Sequence, residues 1–272
     1  MRRDFEPYIP EQIIDYFEPI SGLKAKIIGN YLLYINGETV AIIGYPINGE
    51  YDEKEVTQIF QSYFEEKKSM RIVIIAPKLP STLVFEEVKT DNYYRLMLPV
   101  KHLSKKIRYM VSRAFRELAI EVGKNLTNSH REIMRDFLNR PDVDEFMDYV
   151  CSRLDLYLSR SKTVKIINAF NKTGRLVGFD IVDLPPGRYS FYMFNFIDRN
   201  GGYVPGVSDL MMHHFLKISE EEGKLYVNMG LGINEGVKRF KVKWGAEPFL
   251  PYQYGVVKRS DISRIFEIFS KL

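Results

Sequence analysis

Residues 206–247 have the sequence GVSDLMMHHFLKISEEEGKLYVNMGLGINEGVKRFKVKWGAE, and this stretch decides the fold. Its pattern predicts a helix that stops at Gly223, followed by an apolar strand over Leu225–Met229. A glycine-containing loop then opens a second, strongly basic helix over Gly236–Trp244. This order places backbone N–H groups and cationic side chains beside the end of a strand. Such a place suits an anionic or carbonyl-bearing ligand.

The loop and the basic helix supply the first group of candidate ligand-binding residues. Gly230 and Gly232 allow a backbone to come close to a ligand, and Asn234 follows them in the same loop. Lys238 and Lys241 lie on one face of the predicted helix. The loop GLGINEG does not match a dinucleotide-binding fingerprint. The elements before it are not those of a dinucleotide-binding unit, and the acidic residue that should end the next strand is missing at the usual distance. An ordinary helix-entry loop followed by a solvated basic helix remains the alternative.

Two strand amides form a second group of candidates. The predicted strand Tyr189–Ile197 alternates, which places Met193 and Asn195 on one face and Tyr192 on the other. An amide near a strand end, such as Asn195, can donate to a carbonyl or to an oxyanion. Asn228 has a similar place on the strand after the helix, so neighbouring strands would let both amides flank one cleft. Each amide could instead satisfy local backbone groups.

The composition excludes several classes of protein. A net charge of +4 over 272 residues is mildly basic and does not by itself imply nucleic acid. Cys151 is the only cysteine, which excludes an internal disulfide framework and fits a reducing cytoplasm. The N-terminus resembles no secretory signal, and no apolar segment is long enough to span a bilayer. We therefore expect a soluble cytoplasmic protein.

No metal site is predicted. His213 and His214 are adjacent on a helix, so their side chains diverge by about 100°. His102 and His130 have no acidic or cysteine partners at ligand spacing. Neither a GxSxG nor an HExxH element is present.

The first part of the chain predicts a small α/β unit. Strands over Leu23–Ile28 and Tyr31–Ile35 are followed by an Asn-Gly hairpin turn and a returning strand. An amphipathic helix then leads to the short apolar run Arg71–Ala76, RIVIIA, which is typical of a buried strand. Two more strands are expected over Leu83–Val88 and Tyr93–Leu98.

The second part has the same layout after a mainly helical region. Residues 104–140 are expected to be largely helical, with breaks near Gly123 and around Asn128-Ser129, and the surface over Lys101–Arg116 is basic. A hairpin, the strand Tyr189–Ile197, a helix and a buried strand follow. A final strand over Tyr254–Val257 and a helix over Ser260–Phe269 are expected at the end of the sequence. The likeness of layout indicates a duplicated α/β unit. We predict domains over residues 1–100 and 101–272, the second with a helical insertion at about 104–160.

The segment over 206–248 resembles the C-terminal part of the phosphatidylglycerol lysyltransferase-like proteins. More distantly it is similar to the FemAB-type peptidyltransferases, and both belong to the wider GNAT-like acyltransferase superfamily. The residues Val237–Gly245, VKRFKVKWG, carry the resemblance, and Lys105–Leu118 looks like the basic helix that opens the second unit in such proteins. The resemblance implies an α/β tandem GNAT-like fold, with a mixed, mainly antiparallel sheet and flanking helices in each unit.

The resemblance also implies a function. It implies transfer of an acyl or aminoacyl group from a thioester or an aminoacyl-tRNA to an amine or hydroxyl of a small molecule or peptide. No permanently bound cofactor is expected, and acyl-CoA or aminoacyl-tRNA would be the donor substrate. The segment Asn200–Val207, NGGYVPGV, departs from the Arg/Gln-x-x-Gly-x-Gly/Ala pattern of acetyl-CoA enzymes. This departure leaves a non-catalytic binding module, or a tRNA-binding protein that uses Lys101–Arg116, as alternatives.

Each candidate residue has an expected role in this interpretation. The backbone near Gly230 and Gly232 and the two strand amides would bind the donor carbonyl or a pantetheine-like arm. The two lysines would bind its phosphate or carboxylate. Tyr252 or Tyr254, which follow the basic helix, would donate a proton to the leaving group. The complete set is Asn195, Asn228, Gly230, Gly232, Asn234, Lys238, Lys241, Tyr252 and Tyr254.

Overall fold

The computed structural model describes residues 5–66, 71–141, 143 and 146–258. These residues form two compact units. The first unit contains Ser21–Tyr93 and residues 248–258, and the second contains Glu6–Ile20 and Tyr94–Glu247. The predicted division into domains over residues 1–100 and 101–272 stays a prediction.

Helices and strands alternate through both units, as the sequence pattern predicts. The helices are α1 (Ile14–Ser21), α2 (Glu53–Glu66), α3 (Lys105–Phe115), α4 (Asn128–Leu138), α5 (Phe146–Arg160), α6 (Val207–Glu221) and α7 (Glu235–Lys243). The strands are β1 (Lys24–Ile28), β2 (Tyr31–Ile35), β3 (Thr39–Ile43), β4 (Arg71–Ala76), β5 (Glu87–Met97), β6 (Leu118–Gly123), β7 (Val164–Asn171), β8 (Leu176–Asp183), β9 (Tyr189–Ile197), β10 (Tyr226–Leu231) and β11 (Glu247–Lys258).

The first unit contains the strands β1, β2, β3, β4 and β11, which are neighbours in that order. β1, β2 and β3 are antiparallel, β3 and β4 are parallel, and β11 is antiparallel to β4. Helix α2 buries Val56, Ile59 and Phe60 against Leu33 and Ile42 of this sheet. This apolar face explains why the periodic helix and the continuous apolar strand occur together in the sequence.

The second unit contains β10, β9, β8, β7 and β6 as neighbours in that order. The strands β6 to β9 are antiparallel, and β10 is parallel to β9. One hydrophobic core joins α3 and α6 to the sheet and includes Leu210 and Phe215. A second core contains residues of α4 and α5 and includes Ile133 and Leu154. The sheet is therefore covered by helices on both faces, and all of β8 is buried.

The structure corrects three predicted elements. The helical prediction for residues 104–140 is wrong at Leu118–Gly123, which is the edge strand β6 and pairs with β7. Tertiary pairing overrides the local helical tendency there. The two strands predicted over 83–88 and 93–98 are instead the single strand β5, Glu87–Met97. The predicted final strand is the end of a longer one, β11, and the helix predicted over 260–269 lies outside the described residues.

Candidate functional site

The parallel strands β9 and β10 pair over only part of their length. The register joins Tyr226 to Tyr189, Val227 to Ser190 and Asn228 to Phe191. β9 continues to Ile197 and β10 to Leu231, yet neither of these fully described strands pairs further with the other. Backbone groups of β9 and β10 that do not pair with each other need other partners, either side chains of this protein or an extended ligand. We call this region, Tyr192–Ile197 of β9 with Met229–Leu231 of β10, the β9–β10 opening.

A β-bulge lies where the opening begins. Ile181 of β8 faces Phe194, whereas the next residue, Val182, faces Tyr192, so Met193 is the extra residue in β9. The predicted strict alternation along β9 is therefore wrong. An extra residue reverses the faces beyond it, which brings Tyr192 and Asn195 to the same side of the sheet. Both side chains reach the same carboxylate of β8.

That carboxylate belongs to Asp180, which is fully buried. Its Oδ1 atom accepts hydrogen bonds from Asn195 Nδ2 at 2.6 Å and from the Tyr192 hydroxyl at 3.1 Å. The Ser208 hydroxyl, in the first turn of α6, donates to Asn195 Oδ1 at 3.4 Å. We call these four residues the Asp180 cluster. It combines a carboxyl, a phenol, an amide and a hydroxyl at one wall of the opening.

The ring of Tyr192 lies between two helices. Its centroid is 6.0 Å from that of Phe215 on α6 and 6.2 Å from that of Phe240 on α7, and both pairs are stacked. Tyr192 is only half-buried, whereas Asp180 is fully enclosed. The Tyr192 hydroxyl therefore links this stack of rings to the enclosed carboxyl.

Asp180 has an unusual electrostatic environment. Its Oδ2 atom is buried and, among the described residues, has no hydrogen-bond partner. Burial raises the pKa of this carboxyl from 3.8 to about 7, although the hydrogen bonds from Asn195 and Tyr192 act in the opposite direction. Desolvation disfavours the anion, and two hydrogen bonds to one oxygen do not compensate for it. Asp180 can therefore exchange a proton near neutral pH.

A second buried acid on β8, Asp183, has a full set of partners. Its oxygens accept hydrogen bonds from the hydroxyls of Tyr157 at 2.6 Å, Thr163 at 2.5 Å and Ser161 at 3.4 Å. Burial raises the pKa of Asp183 as well. These bonds tie β8 to α5 and to the start of β7, so Asp183 has a structural role.

The loop between β9 and α6 carries carboxylates that have internal partners. Asp198 accepts the Asn200 N–H at 2.9 Å and an ion pair from Arg175 at 2.5 Å. Asp209, in the first turn of α6, binds Lys243 Nζ at 2.6 Å and Trp244 Nε1 at 3.1 Å. A phosphate-binding loop would instead direct its N–H groups to the ligand. The observed contacts agree with the sequence departure at Asn200–Val207.

The two predicted amides do not meet. Asn228 is fully buried, donates from Nδ2 to the Tyr8 carbonyl at 2.8 Å, and accepts the Gly230 N–H at 2.7 Å. Its register partner on β9 is Phe191, and Asn195 lies four residues farther on, which is about 13 Å along a strand. Asn195 belongs to the Asp180 cluster, whereas Asn228 holds the turn at the end of β10.

The predicted residues of the loop and of α7 differ in their contacts. Asn234 caps α7 by accepting the Val237 N–H at 3.0 Å, and its own N–H donates to the Gly232 carbonyl at 2.7 Å. Lys241 is buried, donates to the Leu231 carbonyl, and lies over the Tyr94 ring.

Lys238 lies farther out on the same helix. It is 39% exposed and pairs with Glu235 at 3.2 Å. Gly230, Gly232, Asn234 and Lys241 thus surround the end of β10, whereas Lys238 lies at the surface.

The two predicted tyrosines lie on β11 in the first unit. The Tyr252 ring packs edge-on against Tyr93 with centroids 5.6 Å apart. Arg71 donates to the Tyr254 hydroxyl at 3.4 Å, and Lys89 lies 5.7 Å above the Tyr254 ring. Both are packed by neighbours of their own unit, and their role as proton donors stays a prediction.

Sequence reasoning missed Asp180. The signal was an acidic residue inside the predicted apolar strand LVGFDIVD, because a carboxylate in a fully buried strand needs a specific reason. Within the described ranges, no three potential ligand side chains lie together as a metal site. None of the helices described combines the length and apolar character that a membrane span requires.

Comparison with known proteins identifies the fold. No family model matches the sequence, and neither does any curated protein sequence. The C-terminal domain of a proposed lysylphosphatidylglycerol synthetase from Agrobacterium fabrum aligns with a TM-score of 0.59 at 14% identity, covering 88% of this chain and 85% of that domain. FemX aligns with a TM-score of 0.60 at 10% identity, covering 97% and 96%.

A tandem GNAT protein from the clavulanic acid biosynthesis pathway aligns with a TM-score of 0.53 at 12% identity, covering 84% of this chain and 78% of that one. The TM-scores establish the shared fold, whereas sequence identities this low leave the activity open. The predicted resemblance is confirmed at that level. The chain has the mixed α/β fold of the GNAT-like superfamily, in the tandem form.

Proposed function

We propose that this protein is a cytoplasmic acyl- or aminoacyltransferase that binds its donor in the β9–β10 opening. The observation that carries the proposal is the early end of β9–β10 pairing beside a buried carboxyl, one oxygen of which has no partner among the described residues. A GNAT-like fold supports this class of reaction without establishing it.

The donor arm would lie along the unpaired edges of β9 and β10, as an extended peptide does when it is added to a sheet. Gly230 has a φ of +73°, and a Cβ added there would have only Lys241 Nζ within 4 Å, at 3.8 Å. The backbone can therefore come close to a ligand at this turn. In this proposal Asn228, Asn234 and Lys241 hold the loop that presents these backbone groups, and Lys238 binds an anionic part of the donor.

Catalysis in such an opening consists of positioning the reactants and polarising the acyl carbonyl. The donor would be an acyl-CoA or an aminoacyl-tRNA, and the acceptor an amine or hydroxyl on a small molecule or peptide. Asn195, held by Asp180 and Ser208, lies two residues beyond the bulge and would orient the acyl group.

A panel of acyl-CoAs and aminoacyl-tRNAs tests the proposal. Binding would be measured by thermal shift and products by mass spectrometry with mixed amine and hydroxyl acceptors. A ligand at 100 times its Kd would stabilise the protein by about 2.7 kcal/mol. Stabilisation without product for every acceptor would favour a non-catalytic binding module. No stabilisation and no product across the panel would refute the proposal.

A second candidate function is binding of tRNA by the exposed side of α3. This side carries cations without any acidic residue before Glu117, and it exposes two rings, Tyr109 at 59% and Phe115 at 67%. Cations would contact phosphates and rings would stack on bases. The exposed cations of this helix and of the segment before it are Lys101, Lys105, Lys106, Arg108 and Arg116.

Salt dependence separates specific phosphate contact from ordinary solvation of this helix. Affinity for tRNA should fall steeply as salt rises, with a logarithmic slope of about −0.7 to −0.9 per phosphate contacted. Replacing Lys105 and Arg116 by Gln should reduce that slope, whereas replacing Lys54 on α2 of the first unit should not. A flat dependence in the wild-type protein would eliminate this candidate.

A further inference from the structure

Asp180 and Asp183 are two buried acids of β8 that differ in their hydrogen-bond partners. Asp183, three residues along β8, accepts three hydroxyl hydrogen bonds and joins secondary structure elements. Asp180 accepts two hydrogen bonds on one oxygen, and its other oxygen has no partner among the described residues. A buried polar atom without a partner costs stability, so such atoms commonly mark functional sites.

The surroundings of Asp180 show how a proton can reach it. Tyr192 donates its hydroxyl hydrogen to Asp180 Oδ1 at 3.1 Å and is the first residue of β9 beyond the register with β10. The charged groups that face the cluster from the packed helices are Asp209 on α6 and Lys243 on α7. These two neutralise each other at 2.6 Å, and Asp209 raises the pKa of Tyr192 less than burial and Asp180 do.

We propose that Tyr192 and Asp180 form a proton relay that deprotonates an ammonium group bound in the β9–β10 opening, so that the acyl acceptor is an amine. The proposal rests on the proposed acyl transfer. An ammonium ion complements a buried carboxylate whose charge has no cationic partner, whereas a neutral hydroxyl does not. The enclosed carboxyl does not touch the substrate and acts through the phenol.

Each proton in the proposed reaction has a donor and an acceptor. The ammonium gives one proton to the Tyr192 oxygen while Tyr192 gives its own proton to Asp180, which leaves a neutral amine and a neutral carboxylic acid. The amine lone pair forms the C–N bond, and the C–S or C–O bond to the donor breaks. The second N–H proton leaves with the departing thiolate or alkoxide. Asp180 then returns its proton through Tyr192 to solvent.

Three variants test the relay. Asp180→Asn keeps the side-chain shape but cannot take up the proton, and Tyr192→Phe keeps the ring between Phe215 and Phe240 but removes the hydroxyl. Asp183→Asn is the matched control, since it alters a buried acid of the same strand that lies outside the cluster. Each variant would first be checked for folding by circular dichroism and thermal unfolding.

The rate of transfer to amines as a function of pH is the first measurement. The wild-type profile should show an ionisation near neutral pH, and Asp180→Asn and Tyr192→Phe should lose it with a rate lower by about 100-fold. Asp183→Asn should keep the wild-type profile. A wild-type profile in Asp180→Asn, or faster transfer to hydroxyls than to amines, would overturn the relay.

Infrared difference spectra, wild type minus Asp180→Asn, test the relay even if the whole panel gives no product and the proposed function fails. A protonated carboxyl band should disappear between about pH 5 and about pH 9, and Tyr192→Phe should displace it. No titrating band, or a band that is indifferent to Tyr192→Phe, would overturn the relay while leaving the proposed transferase function standing.

Discussion

The first and second units contain the same succession of strand, helix and parallel strand, but only one of the two parallel pairs opens. In the first unit β3 and β4 pair continuously from Thr39 with Arg71 to Ile43 with Ile75. The Gly44 N–H extends this pairing by donating to the Ile75 carbonyl at 2.7 Å. In the second unit β9 and β10 pair over three residues only. The same succession of elements therefore contains a continuously paired parallel pair in the first unit and a partly paired one in the second.

Local residues explain the difference between the two pairs. In the first unit Gly44 lets the strands stay together, because a Cβ at that position would lie 2.7 Å from the Ala76 Cβ. In the second unit the bulge at Met193 bends β9, and a buried acid lies behind it on β8. The continuously paired strands thus end in a close backbone approach, whereas the partly paired strands adjoin a bulge in β9.

The largest expected effect is loss of a core side chain in the closed pair. Ile42 of β3 is fully buried in the core that also contains residues of α2, so Ile42→Ala should lower the free energy of unfolding by about 2–5 kcal/mol. Tyr192→Phe, at the opening, should lower it by about 1 kcal/mol, because it removes one hydrogen bond and no packing. Urea unfolding measures both. Equal losses would contradict the contrast between a closed and an open pair.

The next effect is a stabilisation. The pKa of Asp180 is about 7 in the folded protein and near 3.8 when unfolded, so the folded state binds more protons between these values. Its contribution to stability is present below pH 3.8 and is lost as pH rises to about 7. At about pH 8, Asp180→Asn should therefore raise the free energy of unfolding by about 1–3 kcal/mol.

Asp183→Asn provides the comparison for that result, because the substitution replaces a carboxylate oxygen that accepts hydrogen bonds from hydroxyl groups. It should lower stability at the same pH. Chemical denaturation at several pH values measures the stability of both variants. An Asp180→Asn protein that is less stable than the wild type at high pH would contradict the conclusion that burial destabilises the charged form of Asp180.

Substitution of one glycine in each parallel pair, Gly44 after β3 and Gly230 in β10, tests how closely the backbone is approached there. Gly44→Ala should destabilise by about 1–3 kcal/mol, since the added methyl group meets Ala76 and the Ile75 carbonyl. Gly230→Ala meets no atom closer than 3.8 Å, so only its positive φ of +73° opposes the change, at about 1 kcal/mol. Thermal unfolding ranks the two, and a larger loss at Gly230 would contradict the proposed openness.

The smallest effect concerns a polar contact of the second unit away from the opening. His130 accepts the Thr127 N–H at Nδ1 and contacts Asn168 Oδ1 through Nε2, so it is neutral in the folded state. Burial lowers the pKa of His130 below 6.5, so the unfolded state binds the proton first. The contribution of neutral His130 to the free energy of unfolding should be fully present above about pH 6.5 and should decline as pH falls. His130→Gln should flatten this decline in thermal unfolding, and an unchanged slope would exclude His130 as its source.

Regular apolar patterns made many elements predictable. β2, β4 and β9 have the predicted bounds, because short apolar runs beside turns specify strands locally. Strand β6 was not predictable in this way, since Leu118–Gly123 continues a helical stretch and becomes a strand only by pairing with β7. The loop after β10 was also expected from sequence, and in the structure Asn234 accepts the Val237 N–H and donates its own N–H to the Gly232 carbonyl, while its ligand-binding role stays a prediction.

From the sequence alone, periodicity and turn residues predicted a duplicated α/β unit and the glycine-bearing loop after β10, because these signals act over short distances, and the family resemblance implied the tandem GNAT-like layout. Three features became visible only in the folded chain: which parallel pair opens, that Asn195 and Tyr192 share a face, and that both side chains contact Asp180. Those features depend on a one-residue bulge and on strands far apart in the chain. Register and desolvation arise only when such strands meet, so no local pattern encodes them.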